Sequence, residues 1–344
     1  MLKRYLLSFF LVFILSGVMW LQSAFEAPHI PSSEEPTELY ANQNGDDLTQ
    51  LFAEAIGNAK KSIILVVYTL KDKEITSLLR KKSKEGIDVY VVCDANASPN
   101  ARFYLGNEVH LVSRDGPGLM HQKILIIDKQ KVWIGSANMT RESLELHGNL
   151  VMGMDSAELA EAISDKALSF NREGKAPIFD HLDFIIGGQE MEMWFLPDDR
   201  QAVKRLQKLL SSAKKTIQIA MFTWTHRNIA QSVIAAAQRG VKVEVVIDNN
   251  SAKGASSKIV ELLKSNGIQV SLGPMNKLLH HKFLYIDHTI LVNGSANWTA
   301  NAFSKNDDCF VVLHDLTQHQ QQTMDSLWNV IVRESMPLAA YEHK

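Results

Sequence analysis

The sequence predicts an α/β fold built from two duplicated α/β/α sandwich halves with mixed sheets, related by a pseudo-two-fold axis, after an N-terminal apolar helix. Three observations carry this prediction: an internal repeat, short apolar runs that alternate with helical spacing, and one polar motif that occurs twice. An apolar fraction of 46% and a charged fraction of 22% over 344 residues are ordinary for a globular chain with a core in each half.

The repeat keeps a constant spacing along most of the chain. Residues 60–63 (KKSI) return as 214–217 (KKTI), which is 154 positions later, and residues 135–138 (GSAN) return as 294–297, which is 159 positions later. The second half therefore holds five extra residues. We divide the chain into a leader with a short linker at 1–35, a first half at 36–180, a second half at 181–335 and a tail at 336–344.

Within each half, short β-branched runs predict strands and longer amphipathic stretches predict helices. The predicted strands are 63–68, 89–92, 124–127 and 132–134, and in the second half 217–222, 243–247, 283–286 and 290–292. The predicted helices are 75–84, 157–171, 229–238 and 317–333. Glycines and a proline within 172–189 predict a linker there.

The N-terminus predicts export. Lys3 and Arg4 precede an uncharged, mainly apolar run at 5–21, and the acidic segment 22–59 that follows contains no Lys or Arg. The run is at the short end of what spans a bilayer, and the positive-inside rule then puts the body of the protein across the membrane. We expect either an anchored protein that faces away from the cytoplasm or a secreted one whose signal peptide is cleaved.

The net charge and the cysteine content bear on three features: nucleic-acid binding, disulfide bonds and cysteine-rich metal sites. The net charge of −2 gives no global basic field of the kind that nucleic-acid-binding proteins use, although a local basic groove is compatible with it. Cys93 and Cys309 are the two cysteines of the chain, too few for a disulfide framework or a cysteine-rich metal site.

One polar motif occurs twice with identical internal gaps. Residues two apart on a strand share a face, so the His and Lys of each copy converge on one spot. The Lys supplies positive charge, while the Asn amide and the backbone at Gly-Ser offer donors to a phosphate. The two copies together would form one phosphate site within a single chain, so no obligate dimer is expected. The members are His121, Lys123, Asp128, Gly135, Ser136 and Asn138 in the first half, and His280, Lys282, Asp287, Gly294, Ser295 and Asn297 in the second.

This motif resembles that of the phospholipase D superfamily, and the resemblance extends over about residues 38–333. The second half, with 279–283 (LHHKF) and 294–299 (GSANWT), is most similar to nuclease-like and mitochondrial cardiolipin-hydrolase-like members. The resemblance implies a two-step reaction that needs no metal or other cofactor. One histidine attacks phosphorus, and the other protonates the leaving alcohol and then activates water or an alcohol.

The halves differ at the acidic residue that usually follows the Asn in this family. Asp308 occupies that place in the second half, whereas Asn149 occupies it in the first. The family pattern implies that the acid supports a histidine of the opposite half, so we predict His121 as the nucleophile and His280 as the acid/base. Glu145 is a candidate substitute for support of His280.

Two further positions allow more than one interpretation. Asp128 and Asp287 belong to the motif and are candidates for chemistry, but they also suit a turn between two strands. His281 alternates with His280 and Lys282 along a strand, so it is predicted to face away from the site and to be non-catalytic.

The substrate stays open between several classes. Hydrolysis of membrane phospholipid is the first prediction, because of the N-terminal segment and the lack of global positive charge. An endonuclease that cleaves nucleic-acid phosphodiesters by the same mechanism is the first alternative. Phosphatidyl transfer, as in cardiolipin synthases, would replace water with an alcohol. A non-catalytic phosphate- or lipid-binding scaffold is the last alternative, and the intact His and Lys of both motifs argue against it.

Overall fold

The computed structural model of the protein describes residues 27–172 and 177–337. The predicted N-terminal helix, with most of the leader and the tail, lies outside these residues. Within the described ranges, no helix is both long and apolar enough to cross a bilayer.

The first half forms a seven-stranded sheet. Its strands are β1 (Glu38–Ala41), β2 (Ser62–Val67), β3 (Asp88–Asp94), β4 (His110–Arg114), β5 (Lys123–Ile127), β6 (Lys131–Gly135) and β7 (Leu150–Asp155). Its helices are α1 (Leu48–Asn58), α2 (Lys73–Lys84), α3 (Ala101–Leu105) and α4 (Ala157–Leu168), with a 3-10 turn at Asn42–Asn44 and a π-helical turn at Glu142–Leu146.

The second half forms a nine-stranded sheet. Its strands are β8 (Leu182–Ile186), β9 (Gln189–Leu196), β10 (Thr216–Met221), β11 (Lys242–Ile247), β12 (Gln269–Leu272), β13 (Lys282–Ile286), β14 (Ile290–Gly294), β15 (Asp308–Leu313) and β16 (Met336–Pro337). Its helices are α5 (Ala202–Ser212), α6 (Arg227–Gln238), α7 (Asn249–Lys253), α8 (Ser257–Ser265), α9 (Ala300–Ser304) and α10 (Gln318–Glu334).

The two sheets share one topology. The first runs β1-β7-β6-β5-β2-β3-β4, with β2, β3 and β4 parallel and the other neighbours antiparallel. The second contains the same order in β9-β15-β14-β13-β10-β11-β12, flanked by β8 and β16. The predicted fold class, α/β with duplicated halves and mixed sheets, is therefore confirmed.

The predicted linker at 172–189 contains a strand. β8 pairs with β9 in an antiparallel hairpin whose turn is formed by Gly187 and Gly188, with φ of 55° and 79°. These glycines adopt the left-handed conformation that such a turn requires, and they are turn residues rather than a flexible spacer. Because β8 is a five-residue edge strand, its pattern is too short to separate from a loop.

The core has three parts, which follow from strand alternation. In β5, Ile124 and Ile126 face a central cluster that contains residues of both halves, whereas Leu125 and Ile127 face α1 and α2. The central cluster also takes Leu327 from α10. The second sheet packs its other face on α5, α6 and α8. Each sheet is therefore covered on both faces, and the central cluster joins the halves.

Backbone contacts between the halves lie at one end of the sheets. His121 donates its backbone N–H to the Asp307 carbonyl, and Asp307 donates its own to the Leu119 carbonyl, both at 2.8 Å. The equivalent contact on the other side is the bond from Gly148 N–H to the Leu278 carbonyl, at 2.9 Å. These pairings bring the segment before each motif histidine to the opposite half.

Candidate active site

The two histidine–lysine pairs lie at this boundary. Lys123 begins β5 beside the last residue of β2, and Lys282 begins β13 beside the last residue of β10. His121, Lys123, His280 and Lys282 are all buried, with exposed fractions between 3% and 7%. The pKa of His280 is held well below its usual range by burial, then by the charges of Lys282, Lys123 and His121. The structure thus brings the four predicted side chains into one electrostatic cluster.

The lysines are held by their own strands. Lys123 Nζ donates to the His121 carbonyl at 2.6 Å, and Lys282 Nζ donates to the His280 carbonyl at 2.5 Å. Burial lowers the pKa of Lys123 to about 7, although Asp308 opposes this shift. Burial and the charge of Lys123 also hold the pKa of Lys282 well below its usual range. A bound anion favours the charged form of both lysines, so a phosphate in this cluster would raise their pKa values.

His121 is supported by a carboxylate from the opposite half. Its Nδ1–H donates to Asp308 Oδ1 at 2.7 Å, and Ser295 Oγ donates to the same oxygen at 2.7 Å. Burial raises the pKa of Asp308, but His121 and Lys123 outweigh it, so the net pKa is lowered and the carboxylate is ionised. An ionised partner on Nδ1 leaves the Nε2 lone pair available and stabilises the imidazolium.

His280 has an amide in the corresponding place. Its Nδ1–H donates to Asn149 Oδ1 at 3.0 Å, and Asn149 Nδ2 donates to the Ser143 carbonyl at 2.7 Å, which fixes the amide orientation. Glu145, the predicted substitute, pairs instead with Arg141 at 2.9 Å, both side chains being largely exposed. The support of His280 is therefore neutral, and the two histidines sit in unequal environments.

The motif serines donate hydrogen bonds to the residues that support the two histidines. Ser136 Oγ donates to Asn149 Oδ1 at 2.8 Å, as Ser295 Oγ does to Asp308, and both serines are fully buried. Their backbone N–H groups are also used, on the carbonyls of Leu150 and Cys309. The predicted contact of Ser136 and Ser295 with phosphate does not fit this arrangement, because their donors orient the groups that hold the histidines.

The motif glycines allow two strands to approach closely. A Cβ on Gly135 would lie 2.3 Å from the Leu150 carbonyl oxygen, and one on Gly294 would lie 2.4 Å from that of Cys309. Both distances are far inside van der Waals contact, so a side chain at either position would push the supporting residue away from its histidine.

The motif asparagines keep donors for a ligand. Asn138 Oδ1 accepts the Thr69 N–H at 3.3 Å, and Asn297 Oδ1 accepts the Thr223 N–H at 3.2 Å. Both side chains are half-buried. Within the described part of the chain, neither Nδ2 group donates to a protein acceptor, so both amides are available for phosphate oxygens.

Asp128 and Asp287 lie just past the far ends of β5 and β13, about 17 Å along the strand direction from the motif lysines. Asp128 accepts the backbone N–H groups of residues 60–62, and Asp287 accepts those of residues 214–216. Both have a positive φ, 55° and 51°. As candidates for chemistry they are too remote, and the structure gives them a turn-stabilising role.

His281 faces away from the histidine–lysine cluster. It is fully buried, and its Nε2 bonds to Gln43 Oε1 at 2.6 Å. Burial lowers its pKa to about 3, so it is neutral at physiological pH. Its placement agrees with the strand alternation that predicts a non-catalytic role.

Two pairs of residues at the site were missed by the sequence predictions. The rings of Tyr68 and Phe222 lie 5.1 and 5.0 Å from those of His121 and His280 and also contact the motif lysines. Asp94 and Asp248 each accept the backbone N–H of the residue before a motif histidine, at 3.1 Å. Both pairs are 154 positions apart, so the repeat itself carried the signal.

The described ranges contain neither a reactive cysteine nor a cluster of side chains that could bind a metal ion. Cys93 and Cys309 are fully buried, and burial raises their pKa values to about 11 and about 12. Such thiols are poor nucleophiles at neutral pH. No group of three or more His, Cys, Asp or Glu side chains in these ranges is arranged to hold a metal ion.

Comparison with known proteins agrees with this geometry. A family described as "Cardiolipin synthase, PLD-like domain" matches residues 52–169 and 206–328. The mitochondrial cardiolipin hydrolase of Xenopus tropicalis is 32% identical over 135 residues, which are 39% of this chain and 64% of that protein, less than two thirds of its length. Cardiolipin synthase B of Salmonella typhi is 22% identical, with 87% of this chain and 82% of that protein covered.

The fold also matches a solved structure. The phosphatidylserine synthase of Haemophilus influenzae Rd KW20 superposes with a TM-score of 0.69 at 16% identity, covering 92% of this chain and 90% of that one. The family match spans both halves and includes both histidine–lysine pairs. The chain belongs to the phospholipase D superfamily of phosphodiesterase-type enzymes, and it is related to proteins named as cardiolipin hydrolases and cardiolipin synthases.

Proposed function

We propose that the protein cleaves the phosphodiester bond of membrane phospholipids through a phosphohistidine on His121, with His280 as the acid/base. The observation that carries this proposal is the inequality of the two histidines. His121 donates to an ionised carboxylate at 2.7 Å, whereas His280 donates to a neutral amide at 3.0 Å. A carboxylate stabilises the positive charge that develops on an attacking imidazole, and an amide does so less.

In the first step, His121 Nε2 attacks phosphorus and the bond from phosphorus to the leaving alcohol breaks. His280 gives its proton to that alcohol. In the second step, neutral His280 takes a proton from water, whose oxygen attacks phosphorus, and the bond from phosphorus to His121 breaks. The two lysines and the free amides of Asn138 and Asn297 would hold the non-reacting phosphate oxygens throughout.

The charge state of His280 ties the first step to substrate binding. Burial and neighbouring cations hold its pKa well below the usual range, so the histidine is neutral before substrate binds. A phosphodiester brings one negative charge into the cluster and favours the protonated form of His280. The acid is therefore expected to gain its proton as the substrate arrives.

The lipid substrate is supported by the kinds of protein that this chain resembles. Their names refer to cardiolipin and phosphatidylserine. The net charge of −2 also gives no general attraction for nucleic acid. Phosphatidyl transfer to an alcohol is the second candidate, because the synthases are the relatives that align over most of the chain. In that case an alcohol takes the place of water in the second step.

A substrate panel tests this proposal. Purified protein is incubated with labelled phospholipid vesicles, with and without glycerol, and with single- and double-stranded nucleic acid. We expect phosphatidic acid from the vesicles, lost in His121→Asn and kept in His281→Asn, a matched change at a buried histidine outside the site. A phosphatidyl product that appears only with glycerol would favour transfer, and cleavage of nucleic acid alone would overturn the lipid assignment.

We further propose that the protein is exported and is held at the membrane by its N-terminal segment. The support is the sequence pattern of Lys3 and Arg4 before the apolar run at 5–21. Protease added outside intact cells should then degrade the protein. Protection that is lost only after lysis would contradict export.

A further inference from the structure

A buried ion pair crosses between the halves beside His121. Arg114 at the end of β4 and Asp307 just before β15 are 3% and 6% exposed, and Arg114 Nη2 lies 2.7 Å from Asp307 Oδ2. The guanidinium also donates to the carbonyls of Gly116, Pro117 and Gly118, at 2.7 to 3.1 Å. One side chain therefore fixes both the loop that leads to His121 and a residue of the opposite half.

Asp307 connects this ion pair to the site. Its backbone N–H donates to the Leu119 carbonyl, and its carbonyl accepts the His121 N–H, both at 2.8 Å. The next residue, Asp308, holds His121 Nδ1. Through Asp307, Arg114 therefore helps to fix the relative position of His121 and Asp308, on which their hydrogen bond depends.

The other half has no equivalent ion pair. At the offset of 159, Arg114 corresponds to Gly273 and Asp307 corresponds to Gly148. A Cβ on Gly148 would lie 2.3 Å from Gln43 Oε1 and 2.9 Å from His281 Nε2, so no acidic side chain fits there without rearrangement. The ionic contact is confined to the side that carries His121.

We propose that Arg114 and Asp307 are positioning residues for the nucleophile: their ion pair aligns His121 with Asp308 for attack on phosphorus, so its loss slows adduct formation more than adduct breakdown. This inference rests on the proposed phosphohistidine mechanism. The two steps respond differently because attack builds positive charge on His121 beside Asp308, whereas in breakdown His121 leaves as a neutral group and His280 activates the water.

The ion pair has its own pH dependence. Burial raises the pKa of Asp307 to about 6, against the charge of Arg114. Lys166, Asp198 and Asp308 are the other charged groups that act on it. As the pH falls through about 6, Asp307 takes up a proton and the ion pair is lost; above that pH it is intact.

The experiment compares wild type with Asp307→Asn, which keeps the shape and removes the charge. Asp155→Asn is the matched control, because it breaks the Lys131–Asp155 ion pair at the end of the first sheet that lies away from Arg114. Each protein is mixed rapidly with bis(4-nitrophenyl) phosphate between pH 5 and 8. The first release of nitrophenolate reports adduct formation, and steady turnover at saturation reports breakdown. Circular dichroism verifies that each variant is folded.

We expect the first phase of Asp307→Asn to slow about 10- to 100-fold at pH 8, as for a misplaced reacting group, with a smaller change in breakdown and no change in the control. The ratio of wild type to variant should shrink as the pH falls below about 6, where wild type loses the same charge. Arg114→Lys keeps the positive charge but loses the planar guanidinium with its several donors. Its first-phase rate should therefore lie between those of wild type and Asp307→Asn.

An unchanged first phase in folded Asp307→Asn at pH 8 would overturn the positioning role. A wild type that forms no adduct with any diester would instead refute the proposed function itself. The two failures are therefore distinguishable.

Discussion

Replacing Asp308 with asparagine tests the assignment of the nucleophile most directly. The carboxylate accepts from His121 Nδ1 and Ser295 Oγ on one oxygen, and from Asn306 Nδ2 at 3.4 Å on the other. If the side-chain oxygen of the asparagine takes the position of Asp308 Oδ1, it still accepts from His121 and Ser295. Only the 3.4 Å bond from Asn306 is lost. The change therefore removes the negative charge beside His121 with little change of shape.

The expected magnitude follows from the nature of that bond. A hydrogen bond to a charged group contributes about 1.5–3 kcal/mol and a neutral one about 0.5–1.5 kcal/mol, so the substitution weakens support of the imidazolium by roughly 1–2 kcal/mol. This corresponds to a roughly 5- to 30-fold slower formation of the His121 adduct. Without its anionic partner, the pKa of His121 should fall further below its usual value, since Asp308 is the group that opposes the effects of burial and Lys123.

The assay uses His280→Gln as the background, because the adduct should accumulate when water has no base to activate it. Protein is mixed with an aryl phosphodiester, quenched without acid, and its peptides are weighed by mass spectrometry over time. The phosphate-ester mass should appear on the peptide with His121, and more slowly when Asp308→Asn is added. Asp155→Asn in the same background is the control. Equal rates with and without Asp308→Asn would refute the proposed support of His121.

Three further predictions concern stability and ion requirements. Asp287→Ala should lower the free energy of unfolding in urea by about 1–3 kcal/mol, because three backbone N–H groups lose their acceptor, while kcat of the folded protein stays unchanged; a lost kcat with intact stability would contradict the turn role. His281 has a folded pKa of about 3, so below pH 6.5 the unfolded state binds a proton that the folded state does not, and stability falls by about 1.4 kcal/mol per pH unit down to about pH 3. His281→Asn should flatten the slope of unfolding free energy between pH 6.5 and 4, and an unaltered slope would exclude this contribution. Activity should survive excess chelator, because lysines and amides hold the phosphate; complete loss, restored by one divalent ion, would contradict a metal-free reaction.

The parts of the structure that sequence could predict are those fixed by spacing along a strand. His121 and Lys123 share a face because they are two apart, and His281 is turned away because it is one position from Lys282. The repeat then predicted two such strands in matching halves, and the structure brings them together. Periodicity is a property of neighbouring residues, and a duplication is found when a chain is compared with itself. Both can therefore be found from one sequence.

The parts that could not be predicted depend on partners distant in the chain. Ser136 belongs to the motif, yet its hydroxyl donates to Asn149 and not outward, because the pairing of β6 with β7 places the two side by side. Nothing in the sequence around Arg114 distinguishes it from the other arginines, because its contact with Asp307 forms only when the halves pack together. Edge strands such as β8 are too short for alternation to distinguish them from loops.

The substitution of an amide for an acid at position 149 has an electrostatic consequence that a symmetric site would not have. Burial is the main cause that holds the pKa values of Lys282 and His280 well below their usual ranges, and the charge of Lys123 adds to it. Asn149 gives His280 no negative charge that would oppose these effects. A second carboxylate beside His280 would let that histidine hold a proton before substrate arrives. With Asn149, the proposed mechanism has His280 gain its proton as the phosphodiester binds, so that the acid is charged when there is a leaving group to receive its proton. The same asymmetry gives His121 the counter-charge of Asp308, and this difference is the basis of the proposed division of labour between the two halves.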